Sequence, residues 1–174
     1  MSKILLLGDT FIGEFPKQLL EKHKVINAGA KNIGVRKYHK KFIPKILKKV
    51  QDVDYVVLQI GLTNILNPLC DKDNLTGISE LIKKIQMLIL DIQKIKAPLV
   101  ILSLSPTNNN ALNQVICEFN ERLEKECFEA EIDFINIYNL LIDTDLRQNK
   151  NGHQYLVAEQ IKDYINILQN IKTK

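Results

Sequence analysis

Hydroxyls, amides and one guanidinium gather at a few points of this sequence, each close to a glycine or a short apolar run. Asp9 and Thr10 follow Gly8, Asn32 and Gly34 fall in a loop after Gly29, Thr63 and Asn64 follow Gly61, and Ser105 to Asn110 is a polar stretch. Thr144, Arg147 and His153 lie just before or at the start of the last amphipathic segment. Arg147 is one of three arginines in a chain with 21 lysines, and its guanidinium presents a fork suited to carboxylate or phosphate. Joined by the hydroxyls of Thr10, Thr63 and Thr144, the Asn64 amide and loop N–H groups, it would make a donor-rich pocket that favours an anion. Arg147 can equally pair with Asp9, Asp143 or Asp145 and close that pocket. His153 is expected on the first turn of the last helix with its polar side outward, while His23 and His39 fall in a lysine-rich stretch and are expected to be solvated. Neither GxGxxG nor GxxxxGK[ST] is present, and no metal or cofactor is implied.

These residues need a scaffold, and the hydropathy pattern supplies one. Apolar runs of strand length alternate with longer amphipathic stretches five times, which predicts an α/β fold: a five-stranded parallel sheet between two helical layers. The expected strands are Ile4–Leu7, Lys24–Gly29, Tyr55–Ile60, Leu99–Leu104 and Ile132–Ile137. Between and after them the spacing predicts helices over Gly13–Glu21, Tyr38–Val50, Ile78–Ile95, Leu112–Ala130 and Gln154–Gln169. In open α/β sheets ligands gather at the carboxyl ends of the strands. That rule selects the loops Gly8 to Phe11, Gly29 to Gly34, Gly61 to Asn64 and Ser105 to Asn110, and the segment from Asp143 to His153 can reach the same edge.

Several stretches, taken in order, resemble the blocks of the SGNH or GDSL-type hydrolases, a family of esterases, acylhydrolases and carbohydrate deacetylases with a flavodoxin-like three-layer α/β/α fold. Leu5-Leu6-Leu7-Gly8-Asp9-Thr10 is similar to a strand ending in Gly-Asp-Ser, and Val25-Ile26-Asn27-Ala28-Gly29 to the second block. Val57 to Asn64 resembles a strand ending in Gly-x-Asn-Asp, and Phe119 to Leu123 with Ile132 to Ile135 the family's helix and fifth strand. Asn149 to Gly152 resembles the approach to its last helix, so the likeness spans residues 1–174 as one domain. The resemblance implies a serine nucleophile after the first strand, a histidine base oriented by an aspartate three residues earlier, and an oxyanion hole of two backbone N–H groups and an asparagine amide.

The chain departs from that pattern at each proton-transfer position. Thr10 stands at the nucleophile, Asn32 or Gly34 at the second-block glycine, Thr63 at the asparagine and Asn64 at the aspartate. Thr144 and Arg147 fall at the Asp and His positions, and an arginine with a pKa above roughly 12 is no general base. In serine hydrolases, loss of a triad member costs up to roughly 10⁶ in turnover, which leaves only about 10³ to 10⁴ over water. The leading expectation is therefore an SGNH-like protein that is weakly or non-hydrolytic and holds an anionic or acylated ligand, such as an acylated carbohydrate, in the old cleft. A rival is a working esterase, acylhydrolase or deacetylase using Thr10 with His153 as base. Lys150 stands where the orienting carboxylate belongs, so Asp143 or Asp145 would have to fold back.

A third expectation comes from charge. From Lys22 to Gln51 there are ten Lys or Arg and no Asp or Glu, so the net charge of +4 leaves −6 for the remainder. Arg36, Lys37, Lys40, Lys41, Lys45 and Lys48 form a stripe that is either a solvated helix face or a site for RNA or another polyanion; the resemblance permits the latter, since some SGNH-like domains without the triad bind RNA. Hydrophobic residues at 45% and charged residues at 25% exclude a disordered or fibrous chain. Cys70, Cys117 and Cys127 have no CxxC spacing, which argues for packing in a reducing compartment. The first apolar run is shorter than a signal-peptide core of roughly 7 to 15 residues, and no run reaches about 18 apolar residues. A cytoplasmic location follows as an expectation.

Overall fold

The computed structural model describes residues 1–50, 52–70, 77–142 and 150–172. Five parallel strands, β1 (Lys3–Gly8), β2 (Lys24–Asn27), β3 (Tyr55–Gln59), β4 (Leu99–Leu102) and β5 (Asp133–Ile135), form one sheet in the order β2-β1-β3-β4-β5. The three central strands are continuous apolar runs because both of their faces are covered. Side chains alternate across the sheet: Leu5, Leu7, Val56, Leu58 and Ile101 enter one core, and Ile4, Leu6, Tyr55, Val57, Val100 and Leu102 the other.

The first core is roofed by α2 (Val35–Lys41), α3 (Ile43–Lys49), α5 (Ile78–Ile92) and α6 (Asn110–Glu129). On α5 the apolar positions Leu81, Ile82, Ile85, Leu88, Ile89 and Ile92 form the stripe that faces the sheet. The second core is closed by α1 (Thr10–Gly13), a 3₁₀ turn at Lys17–Leu20 and α8 (Lys150–Lys172), with Val157, Ala158, Ile161 and Ile165 of α8 buried. No helix among the described residues is long and apolar enough to cross a membrane.

The observed elements correct the sequence reading where polar or proline chemistry intervenes. The expected helix Gly13–Glu21 is instead the single turn α1 followed, after Pro16, by the 3₁₀ turn. The expected helix Tyr38–Val50 is two helices, because Pro44 at the start of α3 offers no N–H to continue α2. The fifth strand stops at Ile135, since the Asn136 side chain accepts the Asn139 N–H and opens the short helix α7 (Ile137–Ile142). A further five-residue helix, α4 (Leu62–Leu66), stands where a loop was expected.

Candidate functional site

The site is built around the first turn after β1. Gly8 ends that strand at φ +154, and a Cβ there would lie 1.9 Å from the Gln59 carbonyl oxygen, so only glycine allows β1 and β3 to approach so closely. Asp9 follows, fully buried. Its Oδ2 accepts the N–H groups of Gly61 (3.1 Å) and Thr63 (3.0 Å), tying the β1 loop to the β3 loop. Burial raises the Asp9 carboxyl above its ordinary 3.8, against the opposing pull of the Thr63 and Gly61 N–H groups, the Thr63 hydroxyl and the Phe11 N–H.

Thr10 opens α1, and three contacts fix that turn. Asn27 donates to the Ile12 carbonyl (2.7 Å) and the Phe15 carbonyl (3.3 Å), while its own Oδ1 takes the Gly29 N–H (2.9 Å). Gly29 packs backbone to backbone on Gly13, and from α8 the Gln154 amide donates to the Glu14 carbonyl (3.0 Å). Across the gap between β1 and β2 lies Tyr38. Its hydroxyl accepts the Gly8 N–H (3.2 Å) and donates to the Ala28 carbonyl (2.8 Å). Ala28 N–H already pairs with Leu6 and Ala30 N–H with Gly8, so the phenol bridges the rung that two splaying strands cannot close directly.

Thr10 Oγ1 accepts the Asn32 N–H at 2.9 Å and lies 3.5 Å from Thr63 Oγ1. Among the described residues these are its hydrogen-bond partners, and neither is an imidazole. Asn32 reaches Thr10 from a left-handed backbone conformation, φ 55, which asparagine tolerates. Gly34 serves differently: it is buried at the N-cap of α2, and its carbonyl accepts the Tyr38 N–H. Thr10, Asn32 and Thr63 line a cavity of about 320 Å³ with Phe11, Glu14, Leu62, Leu66 and Asn67.

Asn64 does not line this cavity. Its Oδ1 accepts the Val35 N–H (2.9 Å), anchoring α2, and the residue borders a neighbouring space of about 180 Å³. Thr144 and Arg147, the two members of the expected donor set on that segment, lie outside the described residues with Asp143 and Asp145. His153 is buried, at 9% exposure, rather than turned outward. His39 is not simply solvated either: its Nε2 pairs with Asp91 Oδ2 at 2.7 Å and links α2 to α5. His23 is half-buried with its Nδ1 enclosed, and burial lowers its pKa. Of the basic stripe, Lys37, Lys40, Lys41, Lys45 and Lys48 are exposed on α2 and α3 and Arg36 is half-buried.

Glu14 and Asn67 were not singled out in the sequence. Glu14 stands four residues after Thr10, a spacing that returns to the same helical face, and its Oε1 pairs with Lys31 Nζ at 3.2 Å. Among the described residues no group of three or more His, Cys, Asp or Glu is placed to hold a metal ion. A larger groove, about 420 Å³, lies between α5 and α6 under Leu90, Leu123 and Cys127. Burial and the nearby Glu124 and Glu126 push the Cys127 thiol up to about 12.

A five-stranded parallel sheet in the order β2-β1-β3-β4-β5 with helices on both sides is the fold of the SGNH or GDSL hydrolases. Solved structures bear this out. The chain is similar to an acetyl xylan esterase, AlAXEase (TM-score 0.77, 16% identity, 94% of this chain and 99% of that one). It is also similar to a member of the lipolytic protein G-D-S-L family from Veillonella parvula DSM 2008 (TM-score 0.71, 18% identity, 92% and 96%). A third likeness is to a lipolytic protein of the same family from Desulfitobacterium hafniense DCB-2 (TM-score 0.66, 16% identity, 83% and 82%). No protein-family model and no curated protein sequence matches the chain.

Proposed function

We propose that the Thr10 cavity binds the acyl group of a small acylated molecule, an acetylated carbohydrate being the leading class, and that the protein hydrolyses it slowly if at all. The observation that carries this reading is the setting of Thr10 Oγ1, held by the Asn32 N–H and the Thr63 hydroxyl. Both are hydrogen-bonding groups without a base, suited to holding a carbonyl and poorly suited to removing a proton. The lining favours an ester over a free anion: Phe11, Leu62 and Leu66 are apolar, Asn32 and Asn67 are neutral, and the one carboxylate, Glu14, is paired with Lys31. The acetyl xylan esterase among the similar structures points to the same ligand class.

The test uses 4-nitroacetanilide, an amide that presents an acetyl group without turning over readily. Ligand-observed NMR should show binding, and Leu66→Arg, at the half-exposed mouth of the cavity, should remove it. Absence of binding, or binding indifferent to Leu66→Arg, would count against the reading. A second reading keeps the basic stripe in view, because five of its six cations are exposed on two adjacent helices. RNA binding that weakens steeply with salt would support it.

A further inference from the structure

The groove between α5 and α6 takes no part in the reading above. It is lined by the C-terminal halves of both helices and by Ile132, just before β5, so it opens at the amino end of the strands, the sheet edge opposite Thr10. Its floor is apolar: Ile89, Leu123 and Cys127 are buried, and Leu90, 65% exposed, borders it. At about 420 Å³ it falls within the range of small-molecule sites, about 300–1,000 Å³. On α5 its lining runs from Gln86 to Gln93, about 10 Å at roughly 1.5 Å per residue, a length that an extended chain of about eight or nine atoms spans.

The charged part of the lining has one sign. Glu126 and Glu129, one turn apart on α6, supply two carboxylates, and Gln86 and Gln93 are neutral amides. Glu126 is half-buried, and its Oε2 accepts the Gln86 amide, a neutral partner rather than a cation. Glu129 reaches Lys125 Nζ only at 3.8 Å with both side chains exposed, a pairing worth little. Lys83, Arg122 and Lys125 border a neighbouring space of about 340 Å³ that shares only Gln86 and Glu126 with the groove. Arg122 is held there by Glu118 (2.7 Å) and the Ser79 hydroxyl (2.8 Å). Burial raises the Cys127 thiol, and Glu124 and Glu126 raise it further, the sign expected of a negative field at the floor.

We propose that this groove is a binding site for an amphipathic amine, an alkyl chain laid over Ile89, Leu123 and Cys127 with its ammonium hydrogen-bonded to Glu126 and facing Glu129 at the rim. An ammonium is a compact charge with only donors to offer, which answers a carboxylate whose present partner is an amide. The chain removes the apolar floor from water. An alkyl carboxylate or phosphate would bring its charge against Glu126 and Glu129, and a neutral chain would cover a half-buried carboxylate without supplying a counter-charge. Apolar floor and carboxylate rim thus select by charge as well as by fit.

The probe is n-octylammonium chloride, with n-octanol and sodium octanoate as its neutral and anionic counterparts. Each is titrated below its micelle concentration against the full chain, and the methyl ¹H–¹³C shifts of Ile89, Leu90, Leu123 and Ile132 are followed. Octylammonium should saturate these shifts and weaken as salt is added. Its affinity should fall about tenfold or more in Glu126→Gln, as loss of a partly desolvated charge pair requires. Binding should vanish in Ala130→Phe, whose ring enters the groove from an exposed position. Glu126→Gln keeps the side chain's size and an oxygen for the Gln86 amide, and circular dichroism checks both folds. Octanoate or octanol binding as tightly as octylammonium would overturn the proposal. So would octylammonium binding indifferent to Glu126→Gln, or the absence of saturable shifts.

Discussion

Tyr38→Phe removes one oxygen atom and tests how the site's framework is held. The Tyr38 hydroxyl fills the rung between Gly8 and Ala28, so its loss strands the fully buried Gly8 N–H and the half-buried Ala28 carbonyl at once. An unsatisfied buried polar group costs about 1–3 kcal/mol, and the two together should cost about 2–4 kcal/mol, the Ala28 share being smaller because it is nearer solvent. The ring itself stays: Tyr38 stacks on Phe42 with centroids 5.6 Å apart and planes 9° from parallel, a contact phenylalanine preserves. For a chain of this length about 2–4 °C of Tm accompanies each kcal/mol, giving a fall of roughly 5–15 °C. Urea unfolding followed by circular dichroism reads the free energy, and calorimetry reads the Tm. A loss under about 0.5 kcal/mol would refute the bridge and imply that Gly8 and Ala28 can pair directly.

Other consequences follow from the same geometry. Because the folded-state pKa of Asp9 is raised above 3.8, its contribution to stability is fully present below that value and declines as pH rises through the folded one. Wild type minus Asp9→Asn should therefore show a difference in unfolding free energy that shifts against the wild type between acid and neutral pH; a flat difference would contradict the burial of a charged carboxyl. Asp91, lowered by Lys94 and His39, runs the other way in both proteins and cancels. Gly61→Ala places a Cβ at φ +123 and 3.0 Å from Phe119 Cζ, and should cost about 1–3 kcal/mol in urea unfolding; a neutral result would mean the turn relaxes freely. If the stripe binds RNA, replacing Lys40, Lys41, Lys45 and Lys48 by Glu should abolish a gel shift at low salt, and no wild-type shift under those conditions would dispose of that reading.

What the sequence disclosed was the sheet and its loaded edge. Strands buried on both faces are unbroken apolar runs, so β1, β3 and β4 could be read from Ile4–Leu7, Tyr55–Ile60 and Leu99–Leu104, and the carboxyl-end rule then gathered Thr10, Asn32 and Thr63 into one place. Short elements were less visible. A single helical turn such as α1 or α4 contains no full apolar period, and Pro44 and Asn136 act locally against patterns that otherwise run on. Side-chain partnerships were hidden for a different reason: nothing in a residue type says that Asn64 spends its oxygen on Val35, that a phenol from α2 completes the β1–β2 ladder, or that Asp9 turns inward to the β3 loop. Glu14 could have been found from its four-residue offset from Thr10.

The central claim is that, among the described residues, the hydroxyl at the tip of β1 is hydrogen-bonded to the Asn32 N–H and the Thr63 hydroxyl rather than to an imidazole. Single-turnover and steady-state hydrolysis of p-nitrophenyl acetate, with wild type and His153→Gln side by side, addresses it most directly. A positioned general base contributes roughly 10²–10⁴ and ordinary enzymes turn over near 10 s⁻¹, so this arrangement should give less than about 0.1 s⁻¹. Turnover above about 1 s⁻¹ that disappears in a folded His153→Gln protein would contradict it.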